Sequence, residues 1–352
     1  MIRYKCVVAY NGAAYDGWQT QKNGRSIQEQ IEPIIQKITC VPTTITASGR
    51  TDAGVSARAQ VFHFDAEKDM TGRKWMGAMN AFLPKDIHIM SVEQVSPRFH
   101  ARHCVRWKRY TYRVNDGPYD VFTKDTAYQC PQPLNFEKMQ EAAGYLVGKH
   151  DFTAYNSSTL AEYPDQVRTV EKIELVRHGH MIEMTFQAKG FLRYMVRMMS
   201  AQLIEVGKGK LEPEDVKKIL DTKSKETSKR NAPACGLTLE QVDYYDVMAM
   251  SEEALLREYI LKDDIPAQWE LPDLEKHIRE RVFPMIYVLT TRYDNRIMGY
   301  AQMVEDGIQV HVNEQSDLVK ALSLEEDMRL WLMENGFDRE LSITFHVDRA
   351  KM

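Results

Sequence analysis

Residues 47–64 read ASGRTDAGVSARAQVFHF. A Thr/Ile run over residues 43–46 leads in as a strand, and a second strand-like run, residues 60–64, leads out. Between them Gly49 and Gly54 bracket Arg50, Thr51 and Asp52. The stretch therefore reads as strand, glycine-flanked turn, strand, with one guanidinium and one carboxylate two residues apart on the turn. Glycine permits the dihedral angles such a turn needs and lets a large substrate approach the backbone. Loops held between strands are where catalytic groups tend to sit. Taken alone, the Arg-x-Asp spacing fits a site and a weak surface ion pair equally well.

Outward from this stretch, 352 residues allow two or more domains. A content of 43% hydrophobic and 27% charged residues is that of a soluble globular protein. The apolar runs are too short for a membrane span, and the start, MIRYKCVVAY, reads as a strand and not as a signal peptide. Five scattered cysteines, an odd number without a C-x-x-C pair, predict reduced thiols in a cytoplasmic protein and no metal site. The net charge of −4 is unevenly spread. Residues 251–352 hold 12 Lys and Arg against 21 Asp and Glu, whereas residues 1–250 hold 34 against 29. A mildly basic body with an acidic tail-piece predicts two units, the body being the one suited to a polyanion.

Along the chain, residues 3–10 predict a strand ending at the Asn11-Gly12 turn signal. Tyr15 and Trp18 suit either base stacking or anchoring of a loop to the core. Ser26 with Glu29 forms a capping box, and an isoleucine stripe through Ile27, Ile31 and Ile35 predicts a helix kinked at Pro33. A second helix is expected over 71–82 and a strand over 87–95. Residues 104–115, with Arg106, Trp107, Lys108, Arg109, Tyr110, Tyr112 and Arg113, form the densest basic-aromatic run. It fits a nucleic-acid surface or a solvated sheet face. A helix over 136–147, a hairpin around His178-Gly179 and a short helix over 214–220 follow. Between the last two, Leu192, Met195, Val196 and Met199 recur at helical spacing. That helix would place Arg193 and Arg197 on one face, fitting an anion partner or two solvated side chains. Residues 234–239 predict a closing strand. Beyond residue 245, helices are expected at 251–261, 273–282 and 324–334, and strands at 285–289, 298–304, 308–312 and 341–347.

Several motifs carry a resemblance when read together. They are Tyr15-x-Gly17-Trp18-Gln19 after Gly12, Gly49-Arg50-Thr51-Asp52-Ala53-Gly54-Val55, Asn80-x-x-Leu83-Pro84, Phe99-His100-Ala101-Arg102, Arg109-Tyr110, His150-Asp151-Phe152-Thr153, Phe191-x-x-x-Met195-Val196-Arg197 and Ala232-Pro233-x-x-Gly236-Leu237. In this order they resemble the tRNA pseudouridine synthase A (TruA) family over roughly residues 1–246. The resemblance implies an α+β fold: a mixed, mostly antiparallel sheet with flanking helices, in two related halves. It implies isomerisation of uridine to pseudouridine in the anticodon stem-loop, at tRNA positions 38 to 40, by a homodimer without cofactor or metal. Asp52 takes the place of the family's catalytic carboxylate and Arg197 that of its arginine partner. Arg50 takes the place of the arginine that helps hold the target nucleotide out of the stack, and Tyr110 that of the tyrosine stacked on the uracil. Arg58, Arg109 and Leu237 complete the implied substrate contacts. The role of Arg193 is left open.

The implied organisation is a catalytic core over 1–248, with sub-domains of roughly 1–105 and 106–248. A helical connector over 249–283 and a small acidic α+β extension over 284–352 follow, the latter a candidate for binding a protein partner. Departures from the family pattern are Ser56 for His, Ala59 for Gly, Asn11 for Asp and Ser200-Ala201 for a Val-Gly-like pair. They bear on loop geometry and leave Asp52, Arg50, Tyr110 and Arg197 in place. A non-catalytic tRNA-binding or chaperone protein on the same scaffold is the alternative, and Asp52 is the residue that a mere binder would not need.

Overall fold

The computed structural model describes residues 1–21, 24–97, 99–159, 165–228 and 230–245, and beyond these the strands 286–290, 297–304, 307–313 and 342–348. The chain divides into two compact units, Met1–Asp246 and Val247–Met352.

The first unit opens with β1 (Ile2–Tyr10), whose Tyr4, Cys6, Val8 and Tyr10 are buried in alternation. Helix α1 (Ile27–Thr39) has the expected capping box, Ser26 accepting from the Glu29 N–H, and runs on through Pro33. The short β2 (Thr46–Ala47) pairs with β3 (Ser56–Ala66). Helix α2 (Gly72–Asn80) and β4 (Ile87–Val95) complete the first half. Trp75 from α2 packs on Tyr4 and Phe64, with ring centres 5.2 and 5.0 Å away, and so ties helix to sheet.

The second half runs β5 (Val105–Asn115), β6 (Tyr128–Gln129), α3 (Phe136–Gly144), β7 (Gly148–Asp151), β8 (Val167–His178), β9 (Met181–Ala188), α4 (Met195–Gly207), α5 (Pro213–Thr222) and β10 (Leu237–Tyr244). Helix α4 carries a nearly continuous buried run, as its methionine-rich stripe predicts. It begins only at Met195, because Tyr194 takes a left-handed conformation at φ +63°. Arg193 therefore precedes the helix, and the expected common helix face with Arg197 does not exist.

The strands form one sheet in the order β4-β1-β3-β10-β5-β9-β8-β7, with β2 on β3 and β6 on β5. The two halves repeat one connectivity. In each, the first strand (β1 or β5) is central and antiparallel to both neighbours. A helix leads to the second strand (β3 or β9), and further helices lead to the third (β4 or β10). The fold is thus α+β with a mixed, mostly antiparallel sheet in two related halves, as the resemblance implies. The halves are joined by the parallel pairing of β3 with β10, Ser56 opposite Thr238 and Ala57 opposite Leu239. Leu239 in turn lies opposite Tyr110 on β5. This seam brings the start of β3, and the turn just before it, to within one strand of the middle of β5.

In the second unit β11 (Ile286–Thr290), β12 (Ile297–Val304) and β13 (Gly307–Asn313) form an antiparallel meander, and β14 (Ser342–Asp348) lies parallel to β13. These four are the strands expected from the sequence, displaced by one or two residues at most. The connector over 249–283 and the helices expected beyond residue 250 lie outside the described residues. Among the described residues no helix is long and apolar enough to cross a membrane.

Candidate functional site

The turn bearing Asp52 is held from several sides. Ser48 donates its hydroxyl to Gln60 Oε1 at 2.6 Å, and the Gln60 amide donates to the Gly49 carbonyl at 2.9 Å. The Lys108 ammonium, from β5, donates to the Ser48 carbonyl at 2.6 Å. The hydroxyls of Tyr10 and Thr51 bond at 2.8 Å, and the Trp18 N–H donates to the Thr51 carbonyl at 3.1 Å. Gly17 allows that last contact: its φ is +93°, and a Cβ there would lie 2.6 Å from the Thr51 oxygen. Gly54 turns the chain into β3 with φ +78°. Two departures from the family pattern fit locally. Ser56 accepts from the Gly12 N–H at 3.0 Å, and Asn11 accepts from the Ala13 N–H at 3.0 Å.

On this frame the Asp52 carboxylate meets Arg197, Nη1 donating to Oδ2 at 3.3 Å. Both side chains are largely enclosed, 24% and 14% exposed. Arg197 is itself fixed twice to residue 232: its Nε donates to the Ala232 carbonyl at 2.9 Å, and its own carbonyl accepts from the Ala232 N–H at 3.2 Å. Burial raises the Asp52 carboxyl above its ordinary value, against the opposing charge and hydrogen bond of Arg197 and a smaller pull from Arg193. Tyr110 is buried, its ring edge-on to Phe191 with centres 5.4 Å apart. Burial, then the nearby Tyr10 and Asp52, raise its phenol well beyond the usual value, so it is a neutral hydroxyl. A carboxylate, a guanidinium and a phenol thus converge from the turn, α4 and β5. The set offers a nucleophile or base, a cation that stabilises its charged form, and an aromatic face.

The remaining expected residues are placed differently. Arg50 is exposed, its Nε donating to Gln19 Oε1 at 3.2 Å. Leu237 is buried at the start of β10, opposite Tyr112. Arg109 follows Lys108 and precedes Tyr110 on one strand, so alternation sends it to the other face of the sheet, where it donates to Gln187 at 3.1 Å. Arg58 pairs with Glu240 at 3.3 Å, and Glu240 also holds Arg113 at 2.8 Å.

The basic-aromatic run of β5 is accordingly split. Lys108, Tyr110 and Tyr112 serve the turn, the site and the core. Arg113 is paired with Glu183 and Glu240, and Arg106 with Asp243. Two of its four cations, Arg106 and Arg113, thus meet acids on β9 and β10, while Arg109 meets the neutral Gln187 and Lys108 the Ser48 carbonyl. Lys108 as brace of the Asp52 turn was not legible in the sequence, where its only signal was proximity to Tyr110. Among the described residues no three His, Cys, Asp or Glu side chains gather as metal ligands.

The model of the tRNA pseudouridine synthase family matches residues 6–103 and 142–245. Curated proteins named tRNA pseudouridine synthase A are similar at full length. That of Bacillus licheniformis is 40% identical over 246 residues, 69% of this chain and 99% of the relative. That of Brevibacillus brevis is 41% identical over 246 residues, 69% of this chain and 100% of the relative. That of an Exiguobacterium species is 40% identical over 247 residues, 70% of this chain and 100% of the relative. The family match stops at residue 245, close to where the first compact unit ends.

Proposed function

The chain belongs to the tRNA pseudouridine synthase family, and we infer from this that it isomerises uridine to pseudouridine in tRNA, with Asp52 as the working carboxylate. The reaction breaks the bond from C1′ to N1 of uracil and forms one from C1′ to C5. The C5 proton is lost and N1 gains one, so atoms and electrons balance within the substrate. Such chemistry calls for a carboxylate that attacks C1′, adds to C6 or takes a sugar proton, and each of these uses the ionised form. Arg197 counters the burial that would neutralise it. In this reading Tyr110 stacks on the extruded uracil and Arg50, exposed beside the turn, fills or braces the gap in the RNA stack. Leu237, buried at the start of β10, supplies an apolar contact to the substrate in this reading. Arg58, paired with Glu240, and Arg109, bonded to Gln187, add contacts to the RNA in the same reading.

The observation that carries the reading is the Asp52–Arg197 pair, two side chains 145 residues apart held together beside Tyr110. In the same reading the target uridines lie in the anticodon arm, at tRNA positions 38 to 40, and the enzyme works in the cytoplasm as a homodimer. The acidic second unit takes a protein partner, since its charge disfavours direct contact with RNA. The non-catalytic alternative gains no support from any observation at the site. Replacing Asp52 by Ala is expected to lower pseudouridine formation by about a thousandfold or more while tRNA binding persists. Mapping pseudouridine in tRNA with the intact and Asp52→Ala proteins tests this, and undiminished product from the variant would end the reading.

A further inference from the structure

Arg193 is the charged residue near Asp52 to which the proposed chemistry gives no role. It stands just before the left-handed Tyr194, with its side chain exposed. Its guanidinium carbon lies 5.1 Å from the centre of the Tyr194 ring, and that of Arg197 lies 5.1 Å from the same centre. A left-handed residue with a side chain is uncommon. Here it lets two arginines four residues apart share one ring although only the second is in the helix.

The two are differently engaged. Arg197 is committed to Asp52 and to the Ala232 carbonyl. Among the described residues the Arg193 guanidinium has the Tyr194 ring and no hydrogen bond or ion pair. Its main chain is fixed, the carbonyl accepting from the Ser157 N–H at 3.1 Å. One carboxylate beside two guanidinium groups leaves a net positive charge, carried by the arginine that faces solvent. A guanidinium resting on an aromatic ring keeps its planar fork of N–H donors for an anion and loses less freedom on binding one. A ribonucleotide segment supplies one kind of anion, the phosphodiester.

We propose that Arg193, resting on Tyr194, is a phosphate-binding subsite that grips the RNA backbone beside the target uridine while Arg197 attends to Asp52. The proposal rests on the tRNA reading above. The pair then divides its work, one arginine holding the reacting carboxylate and the other setting the register of the strand that carries the base.

The test compares Arg193→Ala and Arg193→Lys with the intact full-length protein, using unmodified tRNA transcript. Binding is measured against salt concentration, and turnover is resolved into kcat and KM. For Arg193→Ala, KM should rise about tenfold, as for loss of one charged hydrogen bond. The slope of log affinity against log salt should fall by roughly one. Arg193→Lys, which keeps the charge, should retain the slope and recover part of KM. If instead Arg193→Ala kept slope and KM and lost only kcat, the residue would act on Asp52 or the leaving base, and the phosphate subsite would be refuted. Unaltered slope, KM and kcat would refute it equally. If the intact protein neither bound tRNA nor formed pseudouridine, the functional reading would fail first and take the subsite with it.

Discussion

Burial drives the Asp52 carboxyl toward its neutral form, and Arg197 pulls it back toward the ionised one. Burial wins, so the folded carboxyl holds its proton to higher pH than the unfolded one, whose value is about 3.9. The resulting stability is full below the unfolded value and is lost as pH rises through the folded one. Where Asp52 is ionised, its burial is therefore a net cost to the fold. Replacing Asp52 by Asn, a neutral group of the same shape, should raise the melting temperature at pH 7 and leave it nearly unchanged below about pH 4. Thermal melts across that range check it; a lower melting temperature at pH 7 would mean that the attraction to Arg197 outweighs burial. At this scale the sequence alone could offer Asp52 only as one of two readings of an Arg-x-Asp turn. The pairing with Arg197 came from family likeness, since no local pattern links residues 145 positions apart.

The turn before β3 works because neighbouring elements enclose it. Gly17 is the clearest dependency, with φ +93° and no room for a Cβ against the Thr51 carbonyl. Gly17→Ala is expected to cost roughly 1–3 kcal/mol of stability and to shift Asp52, so that activity falls by more than unfolding alone explains. Urea unfolding alongside single-turnover assays of the same variant would separate the two, and a variant of native stability and full activity would contradict it. Elements with clean periodicity were legible in the sequence: α1 from its capping box and isoleucine stripe, β1 from alternation, the β8–β9 hairpin from His178-Gly179. The start of α4 was not. Hydrophobic spacing continues smoothly through Leu192 and Met195, whereas the helix starts only after Tyr194, whose backbone is left-handed. Periodicity reports which side chains face inward, and a single dihedral angle leaves it untouched.

For the whole molecule, the first compact unit and the full length of the relatives coincide within a few residues. A chain ending at residue 246 should therefore fold and isomerise uridine in tRNA without the second unit. Circular dichroism and a pseudouridine assay of the truncated chain check this; loss of cooperative unfolding on truncation would show that the core needs the extension. The division into two units was visible in the charge balance, because acidic and basic residues segregate along the chain. The repeat of two β-α-β-α-β halves was not, since backbone connectivity recurs here without recurring residues.

Local composition and motif order were enough for the family, for most strands and helices of the core, and for Asp52 as the residue to watch. The folded chain alone revealed that β3 and β10 form a parallel seam between the halves, that Glu183 on β9 and Glu240 on β10 hold Arg113 of β5, and that Arg193 rests uncommitted on Tyr194. The reason is range. Spacing along the chain governs which face a side chain takes within its own element, while charge pairing and enclosure depend on elements brought together from distant sequence. The turn of residues 47–64 shows both: its glycines and strands were local, and its partners were not.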